Sequence, residues 1–524
     1  MKKDKRYIFL IVLLLGLFLR IYDLGTKDIW YDESMSLLQS MLPLKKILAI
    51  SFSTATNPFR DTHPFLYHLL LHFWLYLGKS EFLVRLPSVI AGIISIYIVY
   101  LIAKIFFDEE VSILAMIFAA FSPFFIYYSQ EARMYIFNLL FTLFSFYFLG
   151  KLINEVDAHH LKSKLIGFTI FTLLNLYTHY FAIFYLIAQN FFIFILYRKF
   201  KHLIKSWLFI QVIIALLSIP LIYIIFNKFA QAQNQQWLIW IPPPSVYHLL
   251  RIFRNWNFTF LQLHGNPFYP VINKVWATIL IAFLLITGFA RELKVKLENK
   301  ELFLNFKFDL KEDILFLILW LFIPLILVIL LSLKTSFFVD RYLIGVIPPV
   351  IILIAKGIKN LYNSRLKAVV STLVIIIYIA SCGEYYGRYN IPHYPDVYLH
   401  SPKGLKDIKE MSNLLKTISQ KDDIILADNS SVFFPLLYYT PQLNEKLYLY
   451  ENKTIIHYRA VNLYVYNDLN KILLDRERIL LVHSSWSWIT GEIDKDLKKW
   501  LDKNTIKTGE VKLTGIDLLL LKKK

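Results

Sequence analysis

Apolar runs of membrane length recur along most of the chain from Tyr7 onward, broken by short polar or basic connections. Each of these runs is long enough, or nearly so, to cross a hydrocarbon core about 30 Å thick. The spans read as roughly 7–23, 82–107, 111–128, 134–153, 164–178, 180–198, 206–226, 271–290, 313–333, 341–358 and 367–383. A further apolar segment, His63 to Gly78, is only about 16 residues long, short of the roughly 20 that a crossing needs, and reads as a helix lying in the interface. As one helix the stretch 164–198 would run about 50 Å, so it has to break, and the polar Thr178-His179 step is the natural place. After about Glu384 the long runs stop. Asp423 to Ala427 and Arg478 to His483 read as buried strands, Gly491 to Asn504 as an amphipathic helix and Ile516 to Leu521 as a final strand. The pattern predicts a mostly α, polytopic membrane protein with about 11 transmembrane helices plus an interfacial helix over residues 1–383, and a C-terminal α/β domain over 384–524.

Composition agrees, with 57% apolar residues and a mean hydropathy of +0.50. A net charge of +19 would suit nucleic acid, but the lysines and arginines are interspersed among hydrophobic spans, where they set topology instead. With His63 to Gly78 off the crossing list, the basic connections 151–164, 198–205, 291–311 and 356–367 all fall on the side of the basic N-terminus. By the positive-inside rule that side is the cytoplasm, so the chain is expected in the cell membrane with its C-terminal domain extracytoplasmic. Lys2, Lys3, Lys5 and Arg6 before an apolar run resemble a signal peptide, but no small-residue cleavage site follows, so the run reads as an uncleaved first span. A lone Cys382 excludes an intrachain disulfide framework. There is no Gly-rich phosphate loop, Cys/His metal spacing or nucleophile elbow.

Candidate chemistry sits in the connections that this topology turns outward. The first, 24–81, holds Trp30-Tyr31-Asp32-Glu33, Arg60, Asp61 and His63; the second carries Glu131 and Arg133; the last reads Val339-Asp340-Arg341-Tyr342. Carboxylates beside hydrocarbon are costly unless they have a partner or a task. A general base at a membrane surface is one such task, an acidic juxtamembrane turn the plain alternative. Carboxylates and cations from distant parts of the sequence converge on one face, as an interfacial active site requires and as surface ion pairs also produce. The outward loop 227–270 is rich in Gln, Trp and Pro, with Trp237, Trp240 and Pro242-Pro243-Pro244, and reads either as a cover for the site or as a rigid amphipathic loop.

These residues resemble the GT-C superfamily of integral-membrane glycosyltransferases, in the branch similar to protein O-mannosyltransferases and to lipid A aminoarabinose transferases. The resemblance rests on Leu19-Arg20-Ile21-Tyr22-Asp23-Leu24-Gly25 and Trp30-Tyr31-Asp32-Glu33. It continues through His63-Pro64, Glu81-Phe82-Leu83-Val84-Arg85-Leu86-Pro87-Ser88, Ser129-Gln130-Glu131-Ala132-Arg133-Met134-Tyr135 and Arg341-Tyr342 with Pro348-Pro349. It implies transfer of a hexosyl or pentosyl group, with inversion, from a polyprenyl-phosphate-linked sugar to an acceptor lipid, polysaccharide or protein at the outer membrane face. Asp32 matches the family's catalytic carboxylate, and Glu33 is expected to orient the acceptor or support Asp32. His63, Glu131, Arg133, Arg341 and Tyr342 are the expected donor-phosphate and substrate contacts, guanidinium being a permanent, bidentate cation.

Each assignment has a structural counterpart: a salt bridge of Arg133 to Glu131 or of Arg341 to Asp340, and a belt anchor for Tyr342. Arg20 and Arg85 are read as snorkelling or pairing residues, and His179 as a hydrogen-bonded histidine at the outer surface. No cofactor or metal is called for, although a carboxylate pair has the oxygen ligands that Mg²⁺ or Mn²⁺ takes. The rival readings are a lipid-linked sugar flippase, which needs polar or broken helices at the bilayer midplane, a glycan polymerase or ligase, and a noncatalytic membrane scaffold.

Overall fold

The fold is taken from a computed structural model, which describes residues 3–52, 63–154, 160–232, 241, 243–258, 269–298, 301–308, 311–387, 407–451, 454–459, 462–466, 470–473, 476–484, 492–513 and 515–524. Arg60, Asp61, Trp237, Trp240 and Pro242 lie outside the described residues. In chain order the helices begin α1 Lys3–Ile21, α2 Tyr31–Ser40, α3 Leu44–Phe52, α4 Leu66–Trp74, α5 Glu81–Phe106, α6 Glu109–Phe121, α7 Pro123–Ser129 and α8 Tyr135–Asn154. They continue α9 Leu161–Leu176, α10 Ala182–Ile195, α11 Ile204–Leu217, α12 Ile219–Ala232, α13 Val246–Phe258, α14 Tyr269–Phe289, α15 Glu312–Ser332, α16 Ile347–Lys359 and α17 Ser364–Gly387. The last four are α18 Asp407–Ile418, α19 Ser430–Tyr439, α20 Asn470–Leu473 and α21 Lys495–Asn504.

Among the described residues, α5, α8, α15, α17 and the helical run Asp340–Lys359 are long and apolar enough to cross a membrane, and the bent pairs α6–α7 and α11–α12 bring the number to seven. Eleven crossings were expected from hydropathy. Part of the difference lies in helix length: α9 has 16 residues and α10 has 14, about 24 and 21 Å of rise against a core of about 30 Å. α4, within the segment read as interfacial, has nine residues and a rise of about 14 Å, too short to cross. The stretch 164–198 is broken around Thr178-His179, between α9 and α10.

The described residues divide into two compact units. The first draws on 1–22, 63–67 and 85–387, the second on 23–62, 68–84 and 388–524. In the first unit the bends have chemical causes. Pro123 has no N–H to continue α6, and Ser122 caps the restart by accepting from the Phe125 N–H at 3.4 Å, giving a 54° bend. The carbonyls left at the end of α6 are taken up by Arg20, wholly buried, whose guanidinium donates to Ala120 O at 3.0 Å, Ala119 O at 3.3 Å and Ser129 Oγ at 3.1 Å. Gly92 lets α5 approach this point, since a Cβ there would stand 2.1 Å from Ser129 Oγ. Between α14 and α15 the segment read as a basic loop forms an antiparallel hairpin, β1 Ala290–Glu298 with β2 Glu301–Phe308. Its charged positions alternate with Leu293, Val295 and Leu297 at a strand's period of two.

The second unit is built on a seven-stranded sheet, β3 Ile424–Ala427, β4 Leu447–Glu451, β5 Thr454–Arg459, β6 Asn462–Tyr466, β7 Arg478–Ser484, β8 Thr505–Lys512 and β9 Ile516–Lys523, in the order β6-β5-β4-β3-β7-β9-β8. β3 is parallel to both β4 and β7, and the remaining pairs are antiparallel. β3 is apolar at every position, and β7 is apolar from Ile479 to Val482, because both faces of the sheet are covered there. Ile425, Ala427, Leu480 and Val482 enter one core with residues of α18, α19 and α2, while Ile424, Leu426, Ile479 and Leu481 enter another with Leu497 and Leu501 of α21.

Candidate active site

Asp32 and Glu33 occupy the first turn of α2, where the helix dipole favours negative side chains. Trp30, the N-cap, is extended, and its N–H reaches the Glu33 carboxylate at 3.5 Å. Glu33 is fully buried and Asp32 partly so. The helix is held within the second unit by Met35 and Leu38, which share a core with Val432, Phe433 and Leu436 of α19, and by Tyr31, whose ring lies 5.9 Å from that of Phe434.

The other five expected residues belong to the first unit. Arg133 follows α7 on a short non-helical link, and Arg341 opens a 3₁₀ turn, Asp340–Val346. Both guanidinium groups lie over one ring, Tyr135, each at 5.7 Å from its centroid, and Arg341 is also 5.7 Å from the ring of Tyr342. Tyr342 stacks on Tyr135 at 6.1 Å. His63 closes a further side, 5.8 Å from Tyr342 and 6.2 Å from Tyr135. Glu131 is buried, and its backbone carbonyl accepts from the Ser88 hydroxyl at 2.6 Å. Gln130 anchors the link by donating to Tyr22 O at 2.7 Å and Arg20 O at 3.1 Å while accepting from Tyr385 at 2.8 Å. Asp340 is buried, accepts from the Asn255 side chain at 3.0 Å and from the Arg341 backbone N–H at 2.7 Å, and so fixes the turn that carries Arg341.

Two members of this cluster were not among the expected site residues. Tyr135 stands in the quoted motif, but nothing in one sequence says that two distant arginines share its ring. His179, read as structural, lies 5.1 Å from His63 and 5.2 Å from Tyr342. Its Nδ1 accepts from the Phe181 N–H at 3.2 Å, so the neutral ring carries its proton on Nε2. The signal was the polar step Thr178-His179 in an otherwise apolar stretch. A pair of guanidinium groups with tyrosine and imidazole side chains in apolar surroundings can hold an anion such as a phosphate. Among the described residues, no group of three or more His, Cys, Asp or Glu side chains gathers as a metal ion would require.

Residues 62–224 match the family model described as dolichyl-phosphate-mannose-protein mannosyltransferase. Among solved structures the chain is similar to ArnT from Cupriavidus metallidurans bound to undecaprenyl phosphate, at 9% identity and a TM-score of 0.55, over 98% of this chain and 97% of that one. It is also similar to the apo oligosaccharyltransferase of Archaeoglobus fulgidus, at 10% identity and a TM-score of 0.50, over 84% of this chain and 64% of that one. At these identities the likeness is one of fold. A comparison with curated proteins finds no match. The family match covers residues 62–224, and over the rest of the chain the likeness to these glycosyltransferase structures is one of fold alone.

Proposed function

We propose that the protein is an inverting glycosyltransferase that moves a sugar from a polyprenyl-phosphate donor to an acceptor hydroxyl at the outer face of the membrane. The observation that carries the reading is the pair of guanidinium groups, Arg133 and Arg341, over the single ring of Tyr135. Two permanent cations from distant segments gathered at one aromatic ring in apolar surroundings suit recognition of an anion. The phosphate of a lipid-linked sugar fits in charge, and the ArnT structure of the same fold holds undecaprenyl phosphate.

In the reaction the acceptor oxygen attacks the anomeric carbon from the face opposite the phosphate. Its proton passes to the Asp32 carboxylate, and the sugar–phosphate C–O bond breaks with both electrons leaving on the lipid phosphate. Arg133 and Arg341 hold that phosphate and stabilise the charge it gains, with His63 and Tyr342 as further contacts. Glu33, buried and turned back to the Trp30 N–H, supports Asp32. For topology the reading keeps eleven crossings, with α1, α9, α10 and α14 counted as spans, and an extracytoplasmic C-terminal domain.

The test is Asp32→Asn in purified protein supplied with a panel of radiolabelled polyprenyl-phosphate sugars and membrane extract. The near-isosteric amide takes no proton at neutral pH, so transfer should fall by about 10²–10⁴-fold with donor binding retained. Near wild-type single-turnover rates at saturating donor would remove Asp32 as the base. Persistent lipid-sugar translocation without any transfer would favour the flippase instead.

A further inference from the structure

We infer that the C-terminal sheet domain sets the position of the catalytic carboxylate through Lys409 and Tyr439, which makes these two residues positioning residues for Asp32. The inference rests on the reading of Asp32 as the base. The segment leading into α2 is bound at consecutive residues to side chains and backbone of the C-terminal region. Asp28 accepts from the Lys409 backbone N–H at 2.9 Å, and the Ile29 N–H donates to the Tyr439 hydroxyl at 2.8 Å. The Tyr439 hydroxyl in turn donates to Glu81 Oε1 at 3.0 Å, and the Lys409 ammonium meets the same oxygen at 2.6 Å. Lys409 begins the second helical position after Asp407 in α18, and Tyr439 ends α19. One carboxylate oxygen therefore ties α18, α19 and the start of α5 together, and that joint holds the Asp28 carboxylate and the Ile29 backbone N–H, directly before the turn that carries Asp32.

Packing alone would keep α2 in its groove, since Met35, Leu38 and Leu42 are buried there. Apolar contacts are non-directional, however, and tolerate small rotations and slides of a helix. The hydrogen bonds at Asp28 and Ile29 are directional and lie at the end of the helix where the carboxylate stands. A displacement of about 1 Å in a reacting group costs up to about 10²-fold in rate. The network thus has the geometry to fix the attack position while contributing little to the core itself. Tyr439 and Lys409 lie in the region of the chain that family motifs do not reach.

Tyr439→Phe keeps the ring and removes only the hydroxyl, and Lys409→Met keeps the stem and removes the charge. Each should lower kcat about tenfold or more, with undecaprenyl phosphate affinity and thermal midpoint close to those of the unaltered protein. Lys409→Arg, which restores a cation beside Glu81, should recover most of kcat. Asp32→Asn is assayed alongside. If Asp32→Asn retains transfer, the reading of Asp32 as base has failed. If Asp32→Asn is inactive while Tyr439→Phe and Lys409→Met keep kcat within about twofold, the positioning role is overturned. It is equally overturned if the loss of kcat merely follows a loss of folded protein or lipid binding, or if Lys409→Arg is as slow as Lys409→Met.

Discussion

Arg133 and Arg341 come from distant parts of the sequence, yet each stands 5.7 Å from the centre of the Tyr135 ring. If they serve a lipid phosphate, Arg133→Ala and Arg341→Ala should each weaken undecaprenyl phosphate binding by about 1.5–3 kcal/mol. Lysine at either position should rescue only in part, because it offers a point charge where guanidinium offers a fork. Unchanged affinity in both folded variants would assign the arginines to structure. Asp28 gives a second prediction at this scale. Burial, opposed by the Lys409 backbone N–H and reinforced by the nearby Glu81 charge, raises its carboxyl to about 6. Between the ordinary carboxylate value and about 6 the folded state retains a proton that the unfolded chain releases, so this group's contribution to stability falls as pH rises through that window. Asp28→Asn, uncharged throughout and still able to accept from the Lys409 N–H, should match the parent near pH 4 and exceed it above pH 6 by about 3 kcal/mol. Thermal midpoints in detergent across that range measure the difference. A gap that does not change with pH would mean that the charge carries no burial cost.

Helices in the first unit are held as much by how they break as by how they run. The α6–α7 bend exposes carbonyls that water cannot reach, and Arg20 satisfies them from another helix. Gly92 is what allows α5 close to that contact. Alanine normally gains up to about 1 kcal/mol over glycine within a helix. Here the added Cβ would stand 2.1 Å from Ser129 Oγ and 3.0 Å from Arg20 Nε. Overpacking therefore decides the sign, and Gly92→Ala should lower stability by about 1–3 kcal/mol, read as a depressed thermal midpoint. An unchanged or raised midpoint would show that Ser129 and Arg20 give way freely.

For the whole molecule the expectation is orientation. Engineered cysteines near residue 450 should react with an impermeant thiol reagent in intact cells, and sites near residue 300 should not. The native Cys382 is buried, so background labelling should be low. Labelling near residue 300 with protection near 450 would reverse the proposed topology. The second unit also bears on domain boundaries: α2, which carries Asp32 and Glu33, packs with α18, α19 and the sheet rather than standing as a membrane loop of its own.

Sequence by itself determined whatever depends on local pattern. Apolar runs of the right length gave membrane helices, the short run at His63 to Gly78 gave a helix too short to cross, and the polar Thr178-His179 step marked a true break. The apolar segments near Ile424 and Arg478 became central strands because a sheet covered on both faces admits no alternation. Only the tertiary structure decided which distant residues meet. Tyr135 and His179 join Arg133, Arg341, Tyr342 and His63, and Lys409 and Tyr439 reach Asp28 and Ile29, through contacts between segments far apart in the chain. Periodicity and hydropathy are sums over neighbouring residues, and they carry no information about which buried side chain will face which. That pairing is set by how helices bend, cross and pack, which is where Pro123, Gly92 and Arg20 act.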